Sequence, residues 1–239
     1  TVLPPNMRDM EIINFKINGP GGSELLSNVN IDKILARWSK RVKTFYANNF
    51  NMRGFNKRSY KNGQVWDTPD TLATVDMLDL YDRGYRTFGC IINDDTYSGR
   101  GTHWMALFVD MRHADNITVE FFNSTDNRPK ADFAEWLDKT VARLSERFSG
   151  VSKKLVCKVR HQQTTTECGV WSLFYIYARL RGVPWTEFAE PIALTDEDMH
   201  KFRLQLYNDP RFKDIKEFTI AAYEPKMGGI KWEKYASDA

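Results

Sequence analysis

The chain has 239 residues, 42% of them hydrophobic and 13% aromatic, with a formal net charge of +3 at pH 7. That is ample apolar material for one large domain, or one domain with a small annex, and it excludes a disordered or collagen-like chain. The longest apolar run, "VWSLFYIYA" at 170–178, is far short of the ~20 residues of a transmembrane helix, so no membrane insertion is expected. The mild positive charge contains no Lys/Arg run that would grip phosphates, and it leaves room only for a weak association with nucleic acid.

Residues 1–29 read as an N-terminal extension or linker, broken by "NGPGGSE". The spacing of Ile31, Ile34, Leu35, Trp38, Val42 and Phe45 predicts a helix over 30–49, with Asn30 as its N-cap. A second helix is predicted over 68–84, with Thr68 as N-cap, Pro69 at its first position and Gly84 past its end. Helices are thus expected to dominate residues 30–85.

From residue 86 the texture changes. "RTFGCIIN" (86–93), "HWMALFVDMR" (103–112), "ITVEFFNS" (117–124) and "KKLVCKVR" (153–160) are short β-branched and aromatic runs that read as strands. A helix fits 128–148, where Phe133, Leu137, Val141 and Leu144 follow Pro129. Another fits 167–182 and closes at Gly182 and Pro184. A third fits 195–207, opened by a capping box of Thr195 and Asp198. The expected fold class is α+β, a mixed central sheet flanked by helices. The expected division is a domain over 30–207, with the helical part at 30–85 and sheet and active site at 86–207, and a C-terminal extension at 208–239.

Three cysteines form no CxxC pair, and their odd number argues against a disulfide framework, so a reducing compartment is expected. Cys90 and Cys157 lie in strand runs and read as core. Cys168 differs: it follows the polar run "RHQQTTTE" and opens a helix. There the free N–H groups and the helix dipole favour thiolate over thiol. The plainer reading is a buried helix cysteine. Gly169 leaves room for a substrate backbone.

A thiolate nucleophile needs a base, and His is the usual one. His113 in a polar hairpin loop and His200 in an exposed-looking turn read as solvated, and the direction of His161 is open. His103 opens a strand after the Gly-rich "SGRGT". A five-residue hairpin loop at Met111–Asp115 would set His103 opposite Asn123, whose carbonyl could orient the imidazole. Gln162 could add its amide to an oxyanion hole beside the Cys168 N–H, with Gln163 as rival. A zinc site from Cys90, His103 and His113 lacks any recognised ligand spacing, so no metal and no cofactor is expected.

"THW" (102–104), "EFFNS" (120–124) and "HQQTTTECG" (161–169) resemble the signature of the adenain and SUMO-protease superfamily of cysteine peptidases. Over roughly residues 15–207 the likeness is to a branch that matures structural polyproteins of a large DNA virus. It implies an endopeptidase that cuts after Gly-Gly, with Cys168 as nucleophile, His103 as base, Asn123 as orienter and Gln162 as oxyanion donor. Trp104 and Gly169 would border the substrate. The superfamily more often has Asp or Glu where Asn123 stands. The implied partner is a polyprotein with Gly-Gly-X sites, met by a monomer in the host cytoplasm and the virion. The same signature fits a protease for ubiquitin-like modifiers, and a non-catalytic binding module on this fold is the alternative of another class. The chain's own pairs Gly21-Gly22 and Gly228-Gly229 are candidate self-processing sites.

Overall fold

The computed structural model describes residues 16–56, 59–61, 64–66, 71–96 and 98–209. In chain order it opens with β1 (Ile17–Asn18), α1 (Asn28–Arg41), β2 (Phe45–Ala47), β3 (Asn51–Arg53), β4 (Ser59–Lys61) and β5 (Gln64–Trp66). Two short helices, α2 (Thr71–Thr74) and α3 (Met77–Asp82), lead into β6 (Thr87–Thr96), β7 (Trp104–Asp110) and β8 (Ile117–Phe122). Then come α4 (Ala131–Ser145), β9 (Val151–Val156), α5 (Cys168–Leu180), a 3-10 turn (Trp185–Phe188), α6 (Asp196–Leu206) and β10 (Tyr207–Asn208).

The central sheet runs β2-β6-β7-β8-β9, with β3 sharing the β6 edge with β2. β6, β7 and β8 are antiparallel neighbours, whereas β2, β3 and β9 pair in parallel. Every residue of β7 and β8 is buried, because helices cover both faces. Alternation sorts β7 between two cores: Trp104, Ala106 and Phe108 face α1, α5 and α6, while Met105, Leu107 and Val109 face α3 and α4. The mixed sheet flanked by helices is the α+β class read from the sequence.

The first third departs from its expected helices. α1 stops at Arg41 because Phe45, counted on its face, instead opens β2 and pairs with Thr87. Its N-cap is Ser27, and Asn30 serves one turn later as the partner that closes the capping box. The second predicted helix divides at Val75–Asp76, where the Asp76 side chain accepts from the Leu78 N–H and caps α3. Thr68 and Pro69 lie outside the described residues. Gly84 does stand past the end, at φ +93°. Four short strands occupy the stretch expected to be helical, and α1 packs into the same core as α5 and α6. α4 is shorter than its predicted 128–148, and the capping box of Thr195 and Asp198 stands as expected.

No described helix is long and apolar enough to cross a membrane.

Candidate active site

The site is assembled where β7 begins, β8 ends and α5 starts. β8 is followed by "NST" (123–125), and a residue type that caps turns is held there by its own network. The Asn123 N–H donates to the Val156 carbonyl, and its Nδ2 donates to the Asn127 carbonyl at 3.0 Å. Its Oδ1 accepts from the Thr125 N–H and hydroxyl, both at 3.0 Å. Those partners leave one orientation for the carboxamide. Oδ1 also lies 2.7 Å from His103 Nε2, so that nitrogen must carry the proton it donates. His103 Nδ1 is left with its lone pair, as a base requires.

This contact arises in a different register from the one counted. The ladder pairs Asp110 with Thr118 and Ala106 with Phe122, so the connection is two residues longer than the predicted five-residue loop. Met111 sends its N–H to Arg86 and Ile117 sends its own to Gly150, and neither closes the hairpin. A shift of two preserves the face, so Asn123 reaches His103 diagonally instead of head-on. The loop before His103 is pinned by buried Asn93, whose Oδ1 accepts from Asp95 at 3.0 Å and Thr102 at 3.1 Å. Gly101 turns at φ +82°, a conformation that suits glycine.

Cys168 is the first residue of α5 and 1% exposed. The backbone N–H groups of Trp104, Gly169 and Cys168 itself reach its sulfur, which places it beside the residue that follows His103. These donors pull its pKa down, but burial is the larger effect and the neighbouring Glu167 adds to it, so the thiol is pushed up. The expectation of a thiolate stabilised by the helix N-terminus is thereby reversed in the resting site.

Gln162 is buried against β8. Its Oε1 accepts from the Ser124 hydroxyl at 2.8 Å, and its Nε2 donates to the Thr164 carbonyl at 2.6 Å. One amide hydrogen is thus already committed to the Thr164 carbonyl. Asp196 holds the following loop, accepting from the N–H groups of Gln163 at 2.8 Å and Thr164 at 2.5 Å. Gln163 itself is exposed.

Trp104 and Gly169 meet each other and the chain's own Leu26. Trp104 Nε1 donates to the Leu26 carbonyl at 2.9 Å. A methyl on Gly169 would sit 3.2 Å from both the Leu26 and Trp104 side chains, so the space at its Cα is filled from within. A larger residue at Gly169 would press on this packing. Trp104 does border a cleft of about 300 Å³ with Leu25, Leu26, Phe50, Met52 and the Gly99–Thr102 loop.

The remaining histidines stand apart. His161 is buried between the Phe122 and Trp171 rings and donates from Nε2 to the Phe188 carbonyl at 3.0 Å, and burial depresses its pKa. His113 is exposed and His200 half-buried. Among the described residues no three His, Cys, Asp or Glu side chains are placed to hold a metal ion. Cys90 and Cys157 are buried free thiols, and Cys90 is held by Asn48, Asn49 and Asn51. Gly21 is buried with its N–H on Asp209 at 2.8 Å, and Gly228-Gly229 lies outside the described residues.

Sequence reasoning missed Ser124, Thr125 and Asn127 around Asn123 and Gln162, although the polar run "NSTDN" after an apolar strand was a usable sign. It also missed Leu26, for which one chain offers no signal.

Comparisons with known proteins point to one family. The model of the Ulp1 protease family, C-terminal catalytic domain, matches residues 89–214. A SUMO-1 cysteine protease, S273R, of African swine fever virus (isolate Pig/Kenya/KEN-50/1950) is 38% identical over 207 residues, spanning 81% of this chain and 71% of the relative. The crystal structure of the African swine fever virus pS273R protease superposes with a TM-score of 0.71 at 36% identity, covering 81% of this chain and 72% of that one. The C-terminal Ulp1 protease domain, solved with Smt3, the yeast ortholog of SUMO, shares the fold at a TM-score of 0.51 and 13% identity, covering 86% and 93%.

Proposed function

The chain belongs to the Ulp1 protease family of cysteine peptidases, and from that premise we propose an endopeptidase that cuts after Gly-Gly in a viral structural polyprotein. Cys168 is its nucleophile, His103 its base, Asn123 the orienter of that base and Gln162 an oxyanion donor. The observation that carries the assignment is the 2.7 Å contact from Asn123 Oδ1 to His103 Nε2, which frees Nδ1 on the side of the ring away from Asn123.

Because burial keeps the resting sulfur protonated, the proton must leave as the substrate arrives. His103 Nδ1 takes it, and the sulfur attacks the scissile carbonyl carbon. The carbonyl oxygen becomes an oxyanion, which the second Gln162 amide hydrogen and backbone N–H groups at the α5 start can stabilise. Collapse breaks the C–N bond, and His103 returns its proton to the departing amine. Water, deprotonated by the same imidazole, then hydrolyses the thioester and regenerates the thiol. A neutral Asn stabilises the imidazolium less than a carboxylate would, which fits a proton transfer coupled to attack better than a standing ion pair.

Preference for Gly-Gly rests on the family likeness. The likeness to a virus protease supports a polyprotein substrate, and three free thiols fit work in the reducing host cytoplasm. A protease for ubiquitin-like modifiers is the second reading, favoured by the family itself.

The test is cleavage of an unstructured Gly-Gly-X peptide beside a folded ubiquitin-like precursor ending in Gly-Gly-X. Comparable cleavage of the peptide is expected; a strong demand for the folded partner transfers the assignment to the second reading. Cys168→Ala abolishes cutting, and His103→Ala lowers kcat about a hundred- to ten-thousandfold. A Cys168→Ala protein that still cuts would sink both readings.

A further inference from the structure

Residues 17–26 form a strap between the C-terminal end of the fold and the cleft. β1 pairs in parallel with β10 (Ile17 with Tyr207, Asn18 with Asn208), and the Gly21 N–H meets Asp209. At its far end Leu26 receives the Trp104 indole and packs on Gly169, and Leu25 lines the cleft. Between these points lies Arg203 of α6, wholly buried. Its Nη1 donates to the Glu24 carbonyl at 2.6 Å. Its Nη2 donates to the Thr166 carbonyl at 3.3 Å and the Glu167 carboxylate at 3.0 Å, and Nε reaches the same carboxylate oxygen at 3.3 Å. Glu167 is the N-cap of the helix that begins with Cys168.

We propose that Arg203 is a positioning residue of the peptidase site, tying the cleft-wall strap at Glu24 to the loop and helix cap that present Cys168. The inference rests on the peptidase reading above. A buried ion pair is weak support for stability, since apolar residues of similar volume often do as well. What a guanidinium adds is geometry: a rigid fork that addresses three residues in two segments at once, which a point-charged lysine cannot copy. Removing the fork frees the wall to shift relative to the sulfur. A misplacement of that kind is felt in the binding of residues upstream of the scissile bond.

Arg203→Lys keeps a charge for Glu167 and loses the fork. The double variant Arg203→Met/Glu167→Gln removes both charges together, so no carboxylate is left buried alone even if the lysine variant folds poorly. For a Gly-Gly-X peptide extended by several residues upstream, either variant is expected to raise KM about tenfold, with kcat within about twofold of wild type and, in Arg203→Lys, which keeps the Glu167 charge, an iodoacetamide rate of Cys168 within about twofold as well. Hydrogen exchange of residues 17–27 should quicken in both. An unchanged KM, or kcat and KM that worsen only with the unfolded fraction, overturns the proposal. If the wild-type protein cleaves no such peptide, the peptidase reading fails on its own account. Arg203 is then judged by exchange alone, where undiminished protection of 17–27 in both variants overturns the tie.

Discussion

At Cys168 two effects of one location oppose each other. The helix start supplies N–H donors that favour thiolate, and the depth of the same position removes the water that would solvate it. Burial prevails, so the folded thiol titrates above its ordinary range, and the thiolate fraction at neutral pH is smaller than that of a free cysteine. Alkylation of Cys168, followed by peptide mass spectrometry, should therefore rise only as pH passes beyond the free-thiol value of ~8.5. A midpoint well below that value would mean that the imidazole of His103 outweighs desolvation. The candidate site residues were legible in the sequence because each is an odd type for its place: a cysteine after a polar run, a histidine at a strand mouth, an asparagine at a strand end. The direction of the pKa shift was not legible, since it depends on what buries the sulfur, and that includes Leu26 from a distant part of the chain.

Element ends were harder to read than element cores. α1 shows both. Ile31, Ile34, Leu35 and Trp38 are its buried stripe as predicted, while Val42 and Phe45 continue the same spacing by accident and belong to its cap and to β2. A periodicity count cannot see that Phe45 has a parallel partner waiting in Thr87. Asp32 ties this helix to the strand region by accepting the Phe50 N–H at 2.7 Å, and burial raises its pKa from 3.8 to about 6. The folded state thus holds a proton that the unfolded chain releases near 3.8, and stability falls as pH rises between these values. Asp32→Asn keeps an acceptor without the charge. It should raise the thermal midpoint at pH 7 by a few degrees, with the gain shrinking to nothing as pH falls below 3.8; an equal gain at both ends of that range would show that the charge is not its source.

Across the whole molecule the sheet is crossed by a charge cluster far in sequence from itself. Fully buried Glu120 of β8 accepts from Arg179 at 2.8 and 2.9 Å and from the Tyr175 hydroxyl at 2.7 Å, and Arg179 also meets Asp110 at 2.9 Å. Nothing in "ITVEFF" announces a partner 59 residues on, and the cluster was invisible to sequence reasoning. Arg179→Met would leave Glu120 buried without its cation, while Asp110 keeps Arg112, and should cost about 3–5 kcal/mol in denaturant unfolding; a loss below about 1 kcal/mol would show that water replaces the guanidinium. The β1–β10 ladder has a consequence in time instead of energy. A ribosome makes a chain from its N-terminus at about 5–20 residues per second, and His103, Asn123 and Cys168 all emerge before Tyr207 and Asp209. The start of the strap, β1 and Gly21, has no partner until then. A nascent chain can thus hold His103, Asn123 and Cys168 while the start of the strap still waits for the strand partner that completes its ladder.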